Sequence, residues 1–236
     1  MKNVFVTVRS SSTRLPNKCF LKFGKLNVLE HVIERAIFYD LLPIICTTKN
    51  KDDDKIEELA FKNKYKIFRG ASNNKILRWL NCCDEFNIDY FHTVDADDPF
   101  FCGEEVSRSL KLLEQKGLDV VEPSTSSSEG GATVGFSLRK NILKKAILNL
   151  DHDHDTEMIS GFINRVKDIK VQKLKEAEDF VIRQRLTLDY WEDYLFLSAI
   201  RMILGKYPTR KEIYELLENN PDLEKINSFR NFDWKI

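Results

Sequence analysis

Short β-rich apolar runs alternate with helical repeats through the first half of this chain, and few architectures accept that alternation. Val4 to Val8 is the first such run. Val28, Leu29, Val32, Ile33, Ala36 and Ile37 then recur at helical spacing. Leu42 to Cys46 reads as a second strand, and Ile56, Leu59 and Ala60 mark a second helix. The acidic first turn of that helix, Asp52-Asp53-Asp54, suits the helix dipole. Tyr65 to Phe68, Ile88 to Val94 and Leu118 to Val121 continue the strands. Asn73 to Asp84 and the repeat Val106, Leu110, Leu113 continue the helices. Strands and helices at this spacing predict an α/β fold with a parallel sheet covered on both faces. Leu41 to Cys46 is apolar throughout, as a doubly buried strand should be. Pro43, which has no N–H for a ladder, marks its first residues.

From about Glu122 the rhythm changes. Pro123 to Gly131 is a serine- and glycine-rich loop. Ala132 to Leu138 is a strand candidate, Arg139 to Leu148 a helix, and Phe180 to Leu188 a further strand. Trp191, Leu195, Ala199 and Met202 share one helical face, and Pro208-Thr209 starts a last helix through Leu217. No internal repeat is present. With 42% hydrophobic and 31% charged residues the chain suits a globular domain with a real core, and 9 glycines and 6 prolines leave no long linker. The boundary near 122 is therefore read as a change within one domain, 1–236.

Lys+Arg and Asp+Glu are 37 each, so the zero net charge argues against a general nucleic-acid binder, which needs a basic surface. No run approaches the roughly 18 apolar residues of a membrane span. The N-terminal apolar stretch is too short for a signal peptide, because Arg9 and Ser10 follow at once. The five cysteines are scattered with no C-x-x-C, which fits reduced thiols in a cytoplasmic protein.

In parallel α/β sheets, ligands sit beyond the carboxyl ends of the strands. Three polar constellations fall there. The loop after the first strand carries Arg9, Arg14 and Lys18 among hydroxyls, a set suited to phosphate oxygens. It lacks both G-x-x-x-x-G-K-[ST] and G-x-G-x-x-G, so neither a P-loop nor a dinucleotide fingerprint applies. The bland reading is a solvated basic loop. Asp95-Ala96-Asp97-Asp98-Pro99 ends the fourth strand, and clustered carboxylates there repel unless a cation such as Mg²⁺ compensates them. The competing reading is an Asp-rich helix cap. Asp189 follows an alternating run and precedes a helix, where it serves equally as an N-cap reaching Trp191 or Glu192 or as a metal ligand. Together the three describe a site for a nucleoside triphosphate with Mg²⁺. His152 and His154 form an H-x-H in an acidic segment, a weak metal signal. His31 and His92 read as structural.

The chain resembles the nucleotidyltransferase-type cytidylyltransferases, most closely the spore-coat polysaccharide (SpsF-like) branch related to the CMP-Kdo and CMP-sialic acid synthetases. Arg9, Ser12, Thr13, Arg14, Leu15, Pro16 and Lys18 match an opening R-x-x-S-T-R-L-P-x-K. Arg69-Gly70 with Ile76 and Arg78 resembles R-G-x-x-x-x-x-L-x-R. Asp97 and Pro99 match a G-D-x-P turn, with Ala96 in place of glycine. Asp153-His154-Asp155-Thr156 is similar to E-H-V-T, and Leu186 to Asp189 with Glu192-Asp193 to L-T-V-D-x-x-E-D. The chain departs from the family at Ser72-Asn73-Asn74, where the family is acidic, at Ser11, and in the stretch 124–131.

The resemblance implies a three-layer α/β/α, Rossmann-like nucleotidyltransferase (GT-A-like) fold with a mostly parallel mixed sheet. Residues 1–121 would form the nucleotide-binding half and 122–236 the acceptor and metal half. It implies a Mg²⁺-dependent enzyme that transfers CMP from CTP to an acidic acceptor, a 2-keto sugar acid or a phosphonate or phosphate, and releases pyrophosphate. Arg14 and Lys18 would hold the triphosphate, with Arg9, Ser12 and Thr13 assisting. Asp97 and Asp189 would bind Mg²⁺, Arg69, Gly70, Thr47 and Thr48 would lie near the cytosine, and His154 toward the acceptor. Arg183 or Arg185 could meet an anionic acceptor. A homodimer is expected from the relatives. The rival readings are a GT-A glycosyltransferase using Asp95 and Asp97 as a D-x-D, and a non-catalytic nucleotide-binding protein.

Overall fold

The computed structural model describes residues 1–128, 135–148, 150–151, 153–177, 181 and 183–234. Strand β1 (Asn3–Thr7) lies at the centre of the sheet. A two-stranded ribbon, β2 (Lys22–Phe23) with β3 (Leu26–Asn27), follows the first loop and leads into α1 (Val28–Phe38). Then come β4 (Leu42–Thr48), α2 (Asp54–Asn63), β5 (Lys66–Gly70), α3 (Lys75–Glu85), β6 (Tyr90–Asp95), α4 (Gly103–Gln115) and β7 (Val120–Glu122). The second half adds α5 (Thr125–Ser128), β8 (Ser137–Arg139), α6 (Lys140–Ala146), α7 (Ser160–Ile163), β9 (Val171–Lys173), α8 (Trp191–Leu204) and α9 (Arg210–Asn219). Among the described residues the main sheet has seven strands in the order β5-β4-β1-β6-β8-β7-β9. All neighbouring pairs are parallel except those of β8, which runs antiparallel to β6 and β7. This is the expected mostly parallel mixed sheet.

Alternation along β1 sends side chains to both faces. Val4 and Val6 pack with Leu29, Val32 and Ile33 of α1, Ile56 and Ala60 of α2, and Val106 and Leu110 of α4. Phe5 points the other way, stacks on Phe91 at 3.9 Å, and shares a core with Ile76 and Trp79 of α3 and Ile142 and Leu143 of α6. Two apolar layers enclosing one sheet make the three-layer sandwich. Helix starts carry their own signals. Asn27 accepts from the Glu30 amide while Glu30 accepts from the Asn27 amide, a capping box, and Asn74 accepts from the Leu77 amide at the start of α3.

The chain winds outward from β1 in both directions, so β1 and β6 flank the point where strand order reverses. Thr7 pairs with Asp95 there. The loops leaving these two strands diverge to opposite sides and leave a crevice between them. That crevice holds the site.

The second half departs from expectation in two places. Residues 183–188 form no strand. Leu186 and Leu188 are buried instead against Phe196, Leu197 and Ile200 of α8 and Ile213 of α9, in a third apolar cluster. Their alternation reflects one-sided burial, which a strand would show equally. Residues 180 and 182 of that expected strand lie outside the described residues, as do 132–134 of the strand expected before Leu138. On α8 the core face is Phe196, Leu197 and Ile200, while Trp191, Leu195 and Met202 are exposed. No helix among the described residues is long and apolar enough to cross a membrane.

Candidate active site

The first loop is folded by a residue outside it. Asp53, buried in the turn before α2, accepts from the Ser10 amide (2.8 Å), the Ser10 hydroxyl (2.7 Å) and the Thr48 hydroxyl. Burial opposes the charged carboxylate, yet the bonds from Thr48 and Ser10 outweigh it and hold Asp53 below the usual carboxylate range. Asn17 then takes a left-handed φ of 56°, which Asn tolerates, and the chain turns into a single 3₁₀ turn, Lys18–Phe20. Cys19 is buried and anchors that turn.

Lys18 is thereby aimed back across the crevice. Its Nζ donates to Asp97 Oδ2 at 2.6 Å, the Leu188 carbonyl at 2.7 Å and Asp189 Oδ1 at 3.0 Å. Burial alone would lower its pKa, but the charges of Asp97 and Asp189 override it and raise the ammonium above its ordinary range. Arg14 Nη2 reaches the same Asp189 Oδ1 at 3.0 Å, and its guanidinium lies over the Tyr190 ring. Burial pushes the Asp189 carboxyl up, while Lys18 first, then Arg14 and Arg185, bring it below its usual range. Asp189 is therefore no helix cap. Asp193 does that work, accepting the Asp189 and Tyr190 amides at 2.9 Å each. Asp97, likewise, spends its carboxylate on Lys18.

A second ionic chain runs along the other wall. Arg9 pairs with Glu157 at 3.1 Å. Lys75, in the first turn of α3, lies 3.3 Å from Glu157 and 3.4 Å from Asp95, over the Trp79 ring. Partial loss of hydration in the crevice and the neighbouring Asp97 and Glu157 push the Asp95 carboxyl up, against the pull of Lys75. Glu157 is held low by Lys75 and Arg9, which outweigh its partial loss of hydration in the crevice.

Two cavities open on these residues. One of about 310 Å³ is lined by Arg9, Ser12, Thr13, Arg14, Lys18 and Asp97. The other, about 950 Å³, is lined by Lys75, Trp79, Ser127, Phe136, Arg183 and Asp189 among others. Arg14, Asp95, Asp97 and Glu157 border both, so they stand at the junction. The structure thus gathers Arg9, Ser12, Thr13, Arg14, Lys18, Asp97 and Asp189 around one crevice.

Other expected residues lie elsewhere. Thr47 is buried. Thr48 is spent on Asp53. Arg69 pairs with Asp54 at 2.7 Å and Glu57 at 2.8 Å and donates to the carbonyls of Thr48 and Asn50, which ties β5 to α2. A Cβ on Gly70 would stand 2.7 Å from the Phe68 ring and 2.9 Å from Arg78 Cγ, so the glycine serves close packing. His154 is exposed, edge-on to Phe162 at 5.5 Å, and lines neither cavity. His152 lies outside the described residues. Arg185, a candidate for acceptor binding, does line the larger cavity, but it is buried and paired with Asp193 and Asp189. Sequence reasoning missed Asp53, Lys75 and Glu157. The acidic triplet 52–54 was the only trace of the first, read as dipole compensation alone.

The donor set fits a hard divalent cation. Two carboxylate oxygens from distant segments already face one positive charge, the Lys18 ammonium, and carboxylate oxygens are the ligands Mg²⁺ prefers.

Comparison with known proteins finds relatives along nearly the whole chain. A family model described as "Cytidylyltransferase" matches residues 4–216. The spore coat polysaccharide biosynthesis protein SpsF of Bacillus subtilis is 27% identical over 229 residues, covering 92% of this chain and 94% of that protein. The structure of a cytidylyltransferase from Leptospira borgpetersenii superposes with a TM-score of 0.83 at 26% identity, covering 94% of this chain and 96% of that one. CMP:2-keto-3-deoxy-manno-octonic acid synthetase, solved with CTP, shares the fold at a TM-score of 0.65 and 14% identity, covering 86% of this chain and 99% of that one.

Proposed function

This chain belongs to the cytidylyltransferase family and is a nucleotidyltransferase; from that premise we propose that it transfers CMP from CTP to a small anionic acceptor in the cytoplasm, as a homodimer. The observation that carries the reading is the single ammonium of Lys18 set between Asp97 and Asp189. A cationic loop and two carboxylates meet at one place, as a metal-bound triphosphate requires.

In this reading Arg14 and Lys18 hold the triphosphate, with Arg9, Ser12 and Thr13 alongside. Thr47, Thr48, Arg69 and Gly70 shape the backbone on the cytosine side without direct contact. An acceptor oxygen attacks the α-phosphorus in line. The new bond joins that oxygen to phosphorus, and the bond to the pyrophosphate oxygen breaks. Positively charged side chains on the leaving pyrophosphate offset the charge it gains. Asp97 and Asp189 would hold Mg²⁺, which supplies neutralisation of the phosphoryl charge when bound. The larger cavity, with Lys75 and Arg183 in its wall, is where the acceptor would enter. Its class is a 2-keto sugar acid or a phosphonate or phosphate monoester. The polysaccharide role in the name of the B. subtilis relative and the sugar-acid substrate of the CTP-bound synthetase favour the sugar acid. Glu157 borders both cavities, whereas His154, expected toward the acceptor, lines neither.

The test is pyrophosphate release from CTP with Mg²⁺ and a panel of keto-sugar acids, phosphonates and phosphate monoesters. Release with at least one acceptor, lost in Lys18→Ala and Asp97→Asn, is expected. Full activity in either variant, or turnover of a UDP- or GDP-sugar with none of CTP, would overturn the proposal.

A further inference from the structure

Asp189 presents its two oxygens to different surroundings. Oδ1 faces Lys18 and Arg14, each at 3.0 Å. Oδ2 accepts from Arg185 Nη2 at 3.1 Å. Arg185 is 3% exposed and cannot follow a turning carboxylate, because Asp193 grips it twice: Nε to Oδ1 at 2.8 Å and Nη2 to Oδ2 at 3.0 Å. Asp193 is itself held by the Asp189 and Tyr190 amides and by Asn227 Nδ2 at 3.0 Å, and Asn227 also donates to the Arg185 carbonyl at 3.0 Å. Every member of this network is fixed by another, so the carboxylate plane of Asp189 is fixed too.

We propose that Arg185 is a positioning residue that restricts Asp189 to one-oxygen binding of a small divalent cation. The inference rests on the magnesium–triphosphate reading above. A metal against Oδ2 would stand beside a charged guanidinium that Asp193 holds in place, whereas the Lys18 and Arg14 now on Oδ1 are the groups that turn to the triphosphate in that reading, which leaves Oδ1 as the ligand. Mg²⁺ and Mn²⁺ accept single carboxylate oxygens in a near-octahedral shell, whereas Ca²⁺ favours more ligands and two-oxygen carboxylates. Locking Asp189 therefore selects the smaller ions. Partners that orient a ligand typically carry about 10- to 100-fold in metal affinity.

The experiment uses the full chain saturated with CTP, without acceptor. Mn²⁺ binding is followed by electron paramagnetic resonance, and Ca²⁺ is titrated in as competitor. Arg185→Gln and Arg185→Lys should each bind Mn²⁺ about 10- to 100-fold more weakly and release it at a lower Ca²⁺:Mn²⁺ ratio than the wild type. If the Gln variant does not fold, the Lys variant, which keeps a charge against Asp193, carries the test. A lower melting temperature with an unchanged displacement ratio would mean a merely structural role and overturn the inference alone. A wild-type protein that binds no Mn²⁺ with CTP would overturn the proposed function, and this inference with it.

Discussion

The ammonium of Lys18 stands 2.6 Å from Asp97 Oδ2, joining the turn after β1 to the turn after β6 across 79 positions of sequence. With Asp189 on its other side, it neutralises two carboxylates that would otherwise repel one another. Lys18→Ala should lower kcat for pyrophosphate release by roughly 10²- to 10³-fold, the usual cost of losing one charge-stabilising donor. It should also make the metal-free protein less stable, by about 1–3 kcal/mol. Added Mg²⁺ should then raise its melting temperature more than that of the wild type, which calorimetry would show.

Asp97→Asn and Asp189→Asn remove one anionic oxygen each from the same cation. Each should cost at least about 10²-fold in kcat. Each should also abolish the protection that Mg²⁺ with CTP gives against thermal unfolding. Unaltered protection in either variant would place the metal elsewhere.

His31 and His92 are fully buried, and burial pushes each imidazole down to about 3. His31 Nε2 faces the Pro99 carbonyl at 3.0 Å and His92 Nδ1 faces Ser137 Oγ at 2.8 Å. Unfolded histidine takes up a proton near its ordinary value of about 6.5, while the folded rings stay neutral. The unfolded state thus binds more protons below that point. The stability these residues give is complete above pH 6.5 and is lost as the pH falls from there toward 3. Between pH 7 and 5 the loss is about 2 kcal/mol for each histidine. Urea titrations at the two pH values measure it, and a flat profile would contradict the depressed values.

Gly70→Ala should destabilise the protein by about 1–3 kcal/mol, the cost of overpacking. The added methyl meets the Phe68 ring at 2.7 Å and the Arg78 backbone at 3.3 Å. Arg78 holds the carbonyls of Ala71 and Ser72, at 2.6 and 3.2 Å, so the turn after β5 must shift as well. Thermal denaturation reads the first effect and the KM for CTP the second.

The first half of the fold was legible because its strands are buried on both faces. Val4, Phe5 and Val6 are each fully enclosed, so an unbroken apolar run and a parallel sheet coincide. The second half was not, because its patterns have two physical causes. Leu186 and Leu188 alternate like a strand but pack against helices. Helix α8 has apolar residues nearly all round, so spacing could not choose between Trp191, Leu195 and Met202 and the true inner face at Phe196, Leu197 and Ile200. Strand β9 has three residues and no recognisable period. At the site, Arg14, Lys18, Asp97 and Asp189 stood out as charges at element ends. Asp53, Lys75, Glu157 and the positioning role of Arg185 exist only through neighbours remote in sequence, and no local pattern marks them.

Strand β8 enters the sheet between β6 and β7, although β7 precedes it in the chain. A growing polypeptide that has completed Asp95 thus carries β6 with one open hydrogen-bonding rim. About 40 further residues must be added before Ser137–Arg139 can cover it, which at ~5–20 residues per second lasts several seconds. Bare rims of this kind recruit strands from other molecules. Until β8 emerges, that rim of β6 has no strand of its own chain to pair with.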